Sequence, residues 1–130
     1  MEPLSFDTTF LIDLQREKVR GGDGPAHEFL RLNRSSPVRI SATVLGEFAE
    51  GFDAGDRRLD DLRRSFSILP IDTEVALRYG ILCRTLRAKG ALIGTNALWI
   101  AATSLRYDLP LVTGNSSHFR RIADLRMIAY

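Results

Sequence analysis

The stretch that decides the fold of this chain is Leu4-Ser5-Phe6-Asp7-Thr8-Thr9-Phe10-Leu11-Ile12. A short apolar run ends there in an acid and two hydroxyls, which predicts a buried strand over Leu4–Asp7 and a helix over Thr8–Gln15. The acid at position 7 is open to two interpretations. It can be the N-cap of the helix that follows it, or a ligand in a polar site at the end of the strand.

Similar apolar runs recur along the rest of the chain. The further predicted strands are Val38–Ile40, Ser67–Ile71, Leu109–Thr113 and an edge strand over Met127–Ala129. Three further helices are predicted over Ala26–Asn33, Asp56–Phe66 and Thr95–Tyr107, and in the first of them Phe29, Leu30 and Leu32 are expected to be buried. Two more are predicted from their caps: one begins at Ser41 or Thr43 and ends at Phe52, and the other begins at Asp72 and ends at Lys89. Strands that alternate with helices predict an α/β fold, with a mostly parallel sheet of about four or five short strands flanked by helices. We expect residues 1–130 to form a single domain.

The bulk composition excludes several classes of protein. Hydrophobic residues make up 45% of the chain and charged residues 26%, which are ordinary globular values. Cys83 is the only cysteine, so no intramolecular disulfide can form, and a reducing cytoplasm is expected. No signal peptide is expected, and no apolar run approaches the roughly 18 residues that span a bilayer. The net charge of +2, carried mostly by arginine, permits an RNA partner without requiring one.

Four polar side chains occupy matching positions in the predicted elements. Asp7 and Asn115 follow predicted strands, whereas Glu47 and Asn96 lie in the first part of helices that could reach the same edge of the sheet. Ligands of parallel sheets gather beyond the carboxyl ends of the strands, so these groups predict an oxygen-lined cation site. Each also has a purely structural alternative. The glutamate could be a solvated helix residue, and the two amides could be first-turn and turn residues.

Other kinds of site are disfavoured. His27 and His118 lack the spacing of zinc ligands, and Cys83 has no histidine near it in sequence. The glycine-rich stretch Gly21-Gly22-Asp23-Gly24 follows a helix and lacks the Lys-Ser/Thr tail of a phosphate-binding loop. The segment Gly114-Asn115-Ser116-Ser117-His118 lacks the closing glycine of a nucleophile elbow. A hard divalent cation held by oxygen atoms is the remaining expectation.

Taken in order, four segments resemble a PIN domain of the VapC-type toxin branch. They are Phe6–Ile12, Ser41–Glu47, Gly90–Ala102 and Leu111–Phe119. The resemblance covers essentially the whole chain, and it depends on the order and spacing of the segments more than on any one of them. It implies a small α/β/α fold and metal-dependent cleavage of RNA.

The resemblance also implies a set of site residues. The family's acidic set maps onto Asp7, Glu47, Asn96 and Asn115, with Mg²⁺ or Mn²⁺ held by the first three. Asn96 stands where the family pattern has an aspartate, and an acid is common but more variable at position 115. The amide at position 96 implies an endonuclease that is silenced or weakened in this chain.

Two hydroxyls and several partners complete these expectations. Thr8 and Thr113 are expected to support the substrate beside the site. The expected partners are an RNA substrate, a VapB-type antitoxin and a second copy of the chain, with the apolar stripes Val44–Phe52 and Val75–Leu86 as candidate contact surfaces. No membrane partner is expected. A competing function is a non-catalytic module that binds RNA or an antitoxin on the same fold.

Overall fold

The computed structural model describes all residues from 1 to 130. Its strands are β1 (Leu4–Phe6), β2 (Val38–Ser41), β3 (Ser67–Leu69), β4 (Leu111–Val112) and β5 (Met127–Ile128). Its helices are α1 (Thr8–Val19), α2 (Pro25–Leu32), α3 (Ala42–Ala49), α4 (Arg57–Ser65), α5 (Thr73–Ala88), α6 (Thr95–Arg106) and α7 (Ser116–Phe119).

The five strands form one sheet in the order β3-β2-β1-β4-β5, and every neighbouring pair is parallel. The parallel α/β sheet predicted from the sequence is therefore confirmed. The chain moves outward from β1 through β2 to β3 and then returns to the other side of β1 with β4. The carboxyl ends of β1 and β4 thus meet at the point where the strand order reverses, which is where open α/β sheets bind their ligands.

The core lies between the sheet and its helices and is rich in aromatic side chains. Phe6 of β1 contacts Phe10 of α1, Phe29 of α2 and Phe66, with ring centroids 4.5, 6.0 and 5.7 Å away. The rings of Phe6 and Phe10 are fully buried. Offset and edge-on contacts of this kind add to the stabilisation from apolar burial. This packing therefore fixes the direction of β1 and the position of its last residues at the edge of the sheet.

Most helices begin at a polar side chain that the sequence marks. Asp7, Ser41, Asp56 and Asp72 each accept a hydrogen bond from a backbone N–H in the first turn of the helix that follows. The cap of α3 is therefore Ser41, because its Oγ accepts from the Val44 N–H at 3.1 Å. These bonds satisfy donors that a helix N-terminus otherwise leaves unpaired.

Helix α2 is capped from a distance. Its N-cap, Gly24, has no side chain, and Glu17 of α1 supplies the acceptors. Glu17 Oε2 accepts from the Ala26 N–H, and Oε1 accepts from the His27 N–H, both at 2.9 Å. The His27 ring nitrogen Nδ1 lies 2.9 Å from the same Oε1. The buried carboxylate of Glu17 therefore acts as the cap of α2 and connects α1 to α2.

Several boundaries and burial predictions were wrong. Helix α1 continues to Val19, α3 ends at Ala49, and α7 was not predicted at all. Leu32 was expected in the core but is 70% exposed, at the last position of α2. None of the helices has the length and apolar character needed to cross a membrane.

Helices α5 and α6 pack against each other through a stacked pair, Tyr79 and Trp99, with ring centroids 3.8 Å apart. Val75, Leu82 and Leu86 of the predicted α5 stripe are buried in the chain's own core. The apolar residues that α5 leaves on the surface are instead Leu77 and Ile81, at 59% and 60% exposure.

Candidate active site

Asp7 lies between β1 and α1, where it caps the helix and also faces the polar end of the sheet. Its Oδ1 accepts from the Thr8 N–H at 2.8 Å as the helix cap. Its Oδ2 accepts from the hydroxyls of Thr113 at 2.7 Å and Thr9 at 3.2 Å. Because Thr113 directly follows β4, the carboxylate joins the ends of the two central strands.

Asp7 is only 5% exposed, and the pKa of its carboxyl group reflects that burial. Loss of water raises the pKa of Asp7 above its usual value, and the negative charge of Glu47 adds to the rise. Hydrogen bonds from Thr113, from the Thr8 N–H and from Thr9 oppose it without cancelling it. A nearby positive charge would stabilise the ionised form, as expected of a carboxylate that binds a cation.

Glu47 reaches the same edge from α3 and is half-buried. Its Oε1 accepts from the Thr8 hydroxyl at 2.5 Å, and its Oε2 accepts from the Asn96 side-chain amide at 3.2 Å. One carboxylate therefore holds together the beginnings of α1 and α6. The structure thus brings Glu47 and Asn96 into contact at the edge where the sequence predicted both of them.

The two amides occupy the rim of the site. Asn96 is exposed in the first turn of α6, and its amide N–H, rather than its oxygen, points at Glu47. Asn115 is also exposed, as the N-cap of α7, where its side chain makes no capping hydrogen bond. Its backbone N–H donates to the buried Thr113 hydroxyl at 3.0 Å. Thr113 therefore links the segment after β4 to Asp7.

These side chains line a single open cavity of about 430 Å³. Its walls are formed by Asp7, Thr8, Thr9, Glu47, Gly94, Thr95, Asn96, Ala97, Ile100, Asn115, His118 and Phe119. All four predicted site residues and Thr8 are among them, whereas Thr113 lies behind the wall. Only two lining residues are acids, and the chain nowhere gathers three or more His, Cys, Asp or Glu side chains in a cluster that could hold a metal.

Sequence reasoning missed seven residues of this wall, and three of them show why. Thr9 follows the predicted Thr8 and contributes the second hydroxyl on Asp7 Oδ2, a signal that was present in the Thr8-Thr9 pair. His118 was considered only as a zinc ligand, yet its half-buried side chain lines the cavity. Ala97 belongs to the wall because α6 turns it inward next to Asn96, and the unpredicted α7 brings in the histidine.

The donor set suits one hard divalent cation. Carboxylate, hydroxyl and amide oxygens are the ligands that Mg²⁺ and Mn²⁺ prefer, and Mg²⁺ is commonly held by one or two carboxylates with water and phosphate completing its shell. Asp7 and Glu47 together supply two negative charges, and three threonine hydroxyls fix the orientation of the carboxylates. The site therefore fits a single ion more readily than a pair of ions.

A second cavity lies beside the site and has a different character. This apolar groove, about 310 Å³ in volume, runs between α1 and α4 and is lined mainly by Leu11, Leu14, Val19, Phe48, Leu62 and Phe66. A smaller depression shares Gln15 and Phe48 with the apolar groove and shares Glu47 with the polar cavity. The surface is therefore continuous from the groove to the carboxylate.

The chain is similar to known proteins over most of its length. The model of the PIN domain family matches residues 5–125. Ribonuclease VapC1 of Haemophilus influenzae strain R2866 is 32% identical over 123 residues, covering 92% of each chain. Ribonuclease VapC1 of Methanocaldococcus jannaschii is 28% identical over 126 residues, covering 95% of this chain and 84% of the relative.

Solved structures with the same fold were also found. VapBC-1 from nontypeable Haemophilus influenzae superposes with a TM-score of 0.77 at 25% identity, covering 99% of this chain and 98% of the other. VapBC2 from Rickettsia felis, bound to a DNA fragment from its promoter, has a TM-score of 0.82 at 23% identity, covering 100% and 99%.

Proposed function

This chain belongs to the PIN domain family, and we propose that it is a metal-dependent RNA endonuclease, the toxin of a VapBC-type toxin–antitoxin pair, with a weakened metal site. The observation that carries the proposal is the pair of carboxylates, Asp7 and Glu47, held by threonine hydroxyls where β1 and β4 end. The two relatives named above align with 92% and 95% of this chain and are ribonucleases, which supports RNA as the substrate. Such a substrate would place the activity in the cytoplasm.

Each residue would have a definite part in the reaction. Asp7 and Glu47 would hold Mg²⁺ or Mn²⁺, with the Asn96 oxygen able to join them if its amide turns. The bound ion would lower the pKa of a water molecule and neutralise charge on the scissile phosphate. Glu47 faces the open cavity and could orient the attacking water. Thr8 and Thr113 would keep the carboxylate lone pairs directed into the site.

An amide at position 96 would weaken this site without destroying it. A carboxylate about 4 Å from a divalent ion contributes roughly 8 kcal/mol of gross attraction at an effective dielectric of about 20, most of which solvation cancels. The Asn96 amide also occupies Glu47 Oε2 with a hydrogen bond that a metal ion would have to replace. We therefore expect weak binding of one ion and slow cleavage of RNA.

The competing function is a non-catalytic module that binds RNA or an antitoxin on the same fold. The observation that favours it is the content of the cavity, which holds only two acids and presents both of its amides at an exposed rim. A binding module would leave RNA intact even after a carboxylate was added to α6. Substitutions that add a carboxylate to this wall therefore distinguish the two functions.

The test adds a carboxylate to either of two adjacent positions. Asn96→Asp and Ala97→Asp both place an acid in the α6 wall of the cavity, the first at its rim and the second deeper. We expect at least one of them to bind Mn²⁺ about tenfold more tightly by calorimetry and to cut a panel of structured RNAs faster. Adding Asp7→Asn to the active variant restores the parent charge and should abolish the gain. Absence of cleavage in both variants, with no tighter binding of Mn²⁺, would favour the binding module.

The antitoxin would occupy the apolar groove between α1 and α4. The structural neighbours named above are VapBC toxin–antitoxin assemblies, and the groove is an apolar concavity that continues to Glu47. A partner segment with apolar side chains could fill it and extend a polar group toward the carboxylates. Leu14→Glu should prevent co-purification with the small protein encoded beside the toxin. Leu32→Glu, at an exposed leucine outside the groove, should not.

A further inference from the structure

Tyr130, just after β5, lies close to the candidate site without lining its cavity. Its phenol donates to Asp13 Oδ2 of α1 at 2.5 Å, and its ring stands edge-on to Phe10 at a centroid distance of 4.8 Å. Burial raises the pKa of Tyr130 well above its usual value, and the hydrogen bond and charge of Asp13 raise it further. The phenol therefore stays protonated and keeps donating to Asp13.

The phenol oxygen packs against the backbone of Gly114, in the segment that follows β4. A Cβ atom on this glycine would lie 3.0 Å from the Tyr130 hydroxyl oxygen and 3.6 Å from Thr9 Oγ1. A side chain at this position would therefore press against the tyrosine hydroxyl, which would have to shift by a few tenths of an ångström. The close approach, and not the backbone conformation, is what favours glycine here, since its φ is not positive.

The same contact leads to the catalytic carboxylate through hydrogen bonds. The Gly114 N–H donates to Thr9 Oγ1 at 3.0 Å, and the Thr9 hydroxyl donates to Asp7 Oδ2. The next amide, that of Asn115, donates to Thr113 Oγ1, whose hydroxyl donates to the same Oδ2. Both hydroxyls on this oxygen are therefore oriented by backbone amides of the segment that Tyr130 covers.

We propose that Tyr130, anchored by Asp13, is a positioning residue that presses the Thr113–Asn115 segment onto Thr9 and so fixes both hydroxyl donors on the Asp7 carboxylate. The inference rests on the proposed function, because positioning of Asp7 matters for an ion bound there. Groups behind metal ligands commonly change metal affinity by about 10- to 100-fold when they are removed, since they set the direction of the ligand lone pairs.

The chain contains a matched control for this tyrosine. The phenol of Tyr107 also donates to an aspartate, Asp72 Oδ2, at 3.1 Å, and burial likewise raises its pKa. This second pair joins the end of α6 to the start of α5 and contributes nothing to the wall of the cavity. Tyr107→Phe therefore removes the same chemical group from the fold without touching the Thr113–Asn115 segment.

The first measurement needs no metal. In Tyr130→Phe, we expect amide hydrogen exchange at Gly114 and Asn115, followed by NMR in metal-free protein, to accelerate about tenfold through local opening. In Tyr107→Phe these two amides should exchange as in the parent chain. Unchanged exchange at both amides in Tyr130→Phe would overturn the positioning role, whether or not the chain binds metal or cuts RNA.

The second measurement uses Mn²⁺ as the probe. By calorimetry at a temperature where every variant is folded, Tyr130→Phe should bind Mn²⁺ about tenfold more weakly than the parent. Asp13→Asn keeps an acceptor for the phenol and should change affinity little, which separates positioning from the charge of Asp13. Equal affinities in Tyr130→Phe and the parent would refute the inference. No Mn²⁺ binding by the parent would refute the proposed metal site, while the exchange measurement would still decide the role of the tyrosine.

A double substitution tests the close contact directly. Gly114→Ala should weaken Mn²⁺ binding, because its methyl group meets the phenol oxygen. Removing that oxygen in Gly114→Ala/Tyr130→Phe leaves the ring carbon at 3.5 Å as the nearest tyrosine-derived atom, an ordinary contact. The double variant should therefore bind Mn²⁺ no more weakly than Tyr130→Phe alone. Additive losses in the double variant would show that the phenol and the glycine act independently.

Discussion

The buried carboxylate of Glu17 offers a sharp test of how this fold is held together. It is 4% exposed and accepts two backbone N–H bonds from the first turn of α2, together with a contact from the His27 ring, all at 2.9 Å. Glu17→Gln keeps the shape of the side chain but removes its charge. It also turns an NH₂ group toward one of the backbone donors, so that two donors face each other.

The expected loss follows from these contacts. A hydrogen bond to a charged group contributes about 1.5–3 kcal/mol, and a buried donor without a partner costs about 1–3 kcal/mol. We therefore expect Glu17→Gln to lower the free energy of unfolding by about 2–3 kcal/mol, which corresponds to a decrease of about 10 °C in Tm for a chain of this size. Urea denaturation followed by circular dichroism measures the loss. A single transition would also agree with the prediction that residues 1–130 form one domain.

The dependence of this loss on pH has a definite sign. Burial alone would raise the pKa of Glu17, but the hydrogen bonds from His27 and Ala26 outweigh it, and the pKa in the folded chain is lowered. The ionised carboxylate therefore stabilises the fold above the unfolded pKa of about 4.3, and this contribution is lost as the pH falls through the folded pKa. The difference between parent and variant should be largest at pH 7 and shrink below about pH 4.

A matched control lies on the helix that Glu17 caps. Glu28 is exposed and pairs only with Arg31 on the surface of α2, so Glu28→Gln should leave the urea midpoint nearly unchanged. A loss below about 0.5 kcal/mol in Glu17→Gln, or a loss that stays constant down to pH 3, would refute the idea that this carboxylate is the cap of α2.

Three further predictions concern the site, the α2 cap and the surface. Asp7→Asn should leave the chain folded by circular dichroism but weaken Mn²⁺ binding at least about tenfold by calorimetry, because half of the negative charge of the site is removed. Gly24→Ala should lower the urea midpoint strongly, since the new Cβ would lie 2.6 Å from Glu17 Oε2. The isolated chain should dimerise at tens of micromolar through the apolar face of α5. Light scattering should report a monomer for Leu77→Arg/Ile81→Arg, and a parent chain that is already monomeric would contradict the prediction.

The sequence by itself determined the order of the five strands and of the six longer helices, and the edge at which the polar groups gather. Short apolar runs that end in Asp7 and just before Asn115 mark strands whose carboxyl ends must meet in a parallel sheet, and Ser41 and Asp72 mark helix starts through local hydrogen bonding. Such signals are readable because each acts within a few residues of the position that it specifies.

Only the tertiary structure decided which groups touch. The bond from Thr113 to Asp7 joins residues 106 positions apart, and the bond from Asn96 to Glu47 joins residues 49 positions apart. The capping of α2 by Glu17 and the approach of Tyr130 to Gly114 likewise depend on how α1 packs against its neighbours. No local pattern encodes these contacts, because each arises when the core fixes the distance between elements that are remote in the chain.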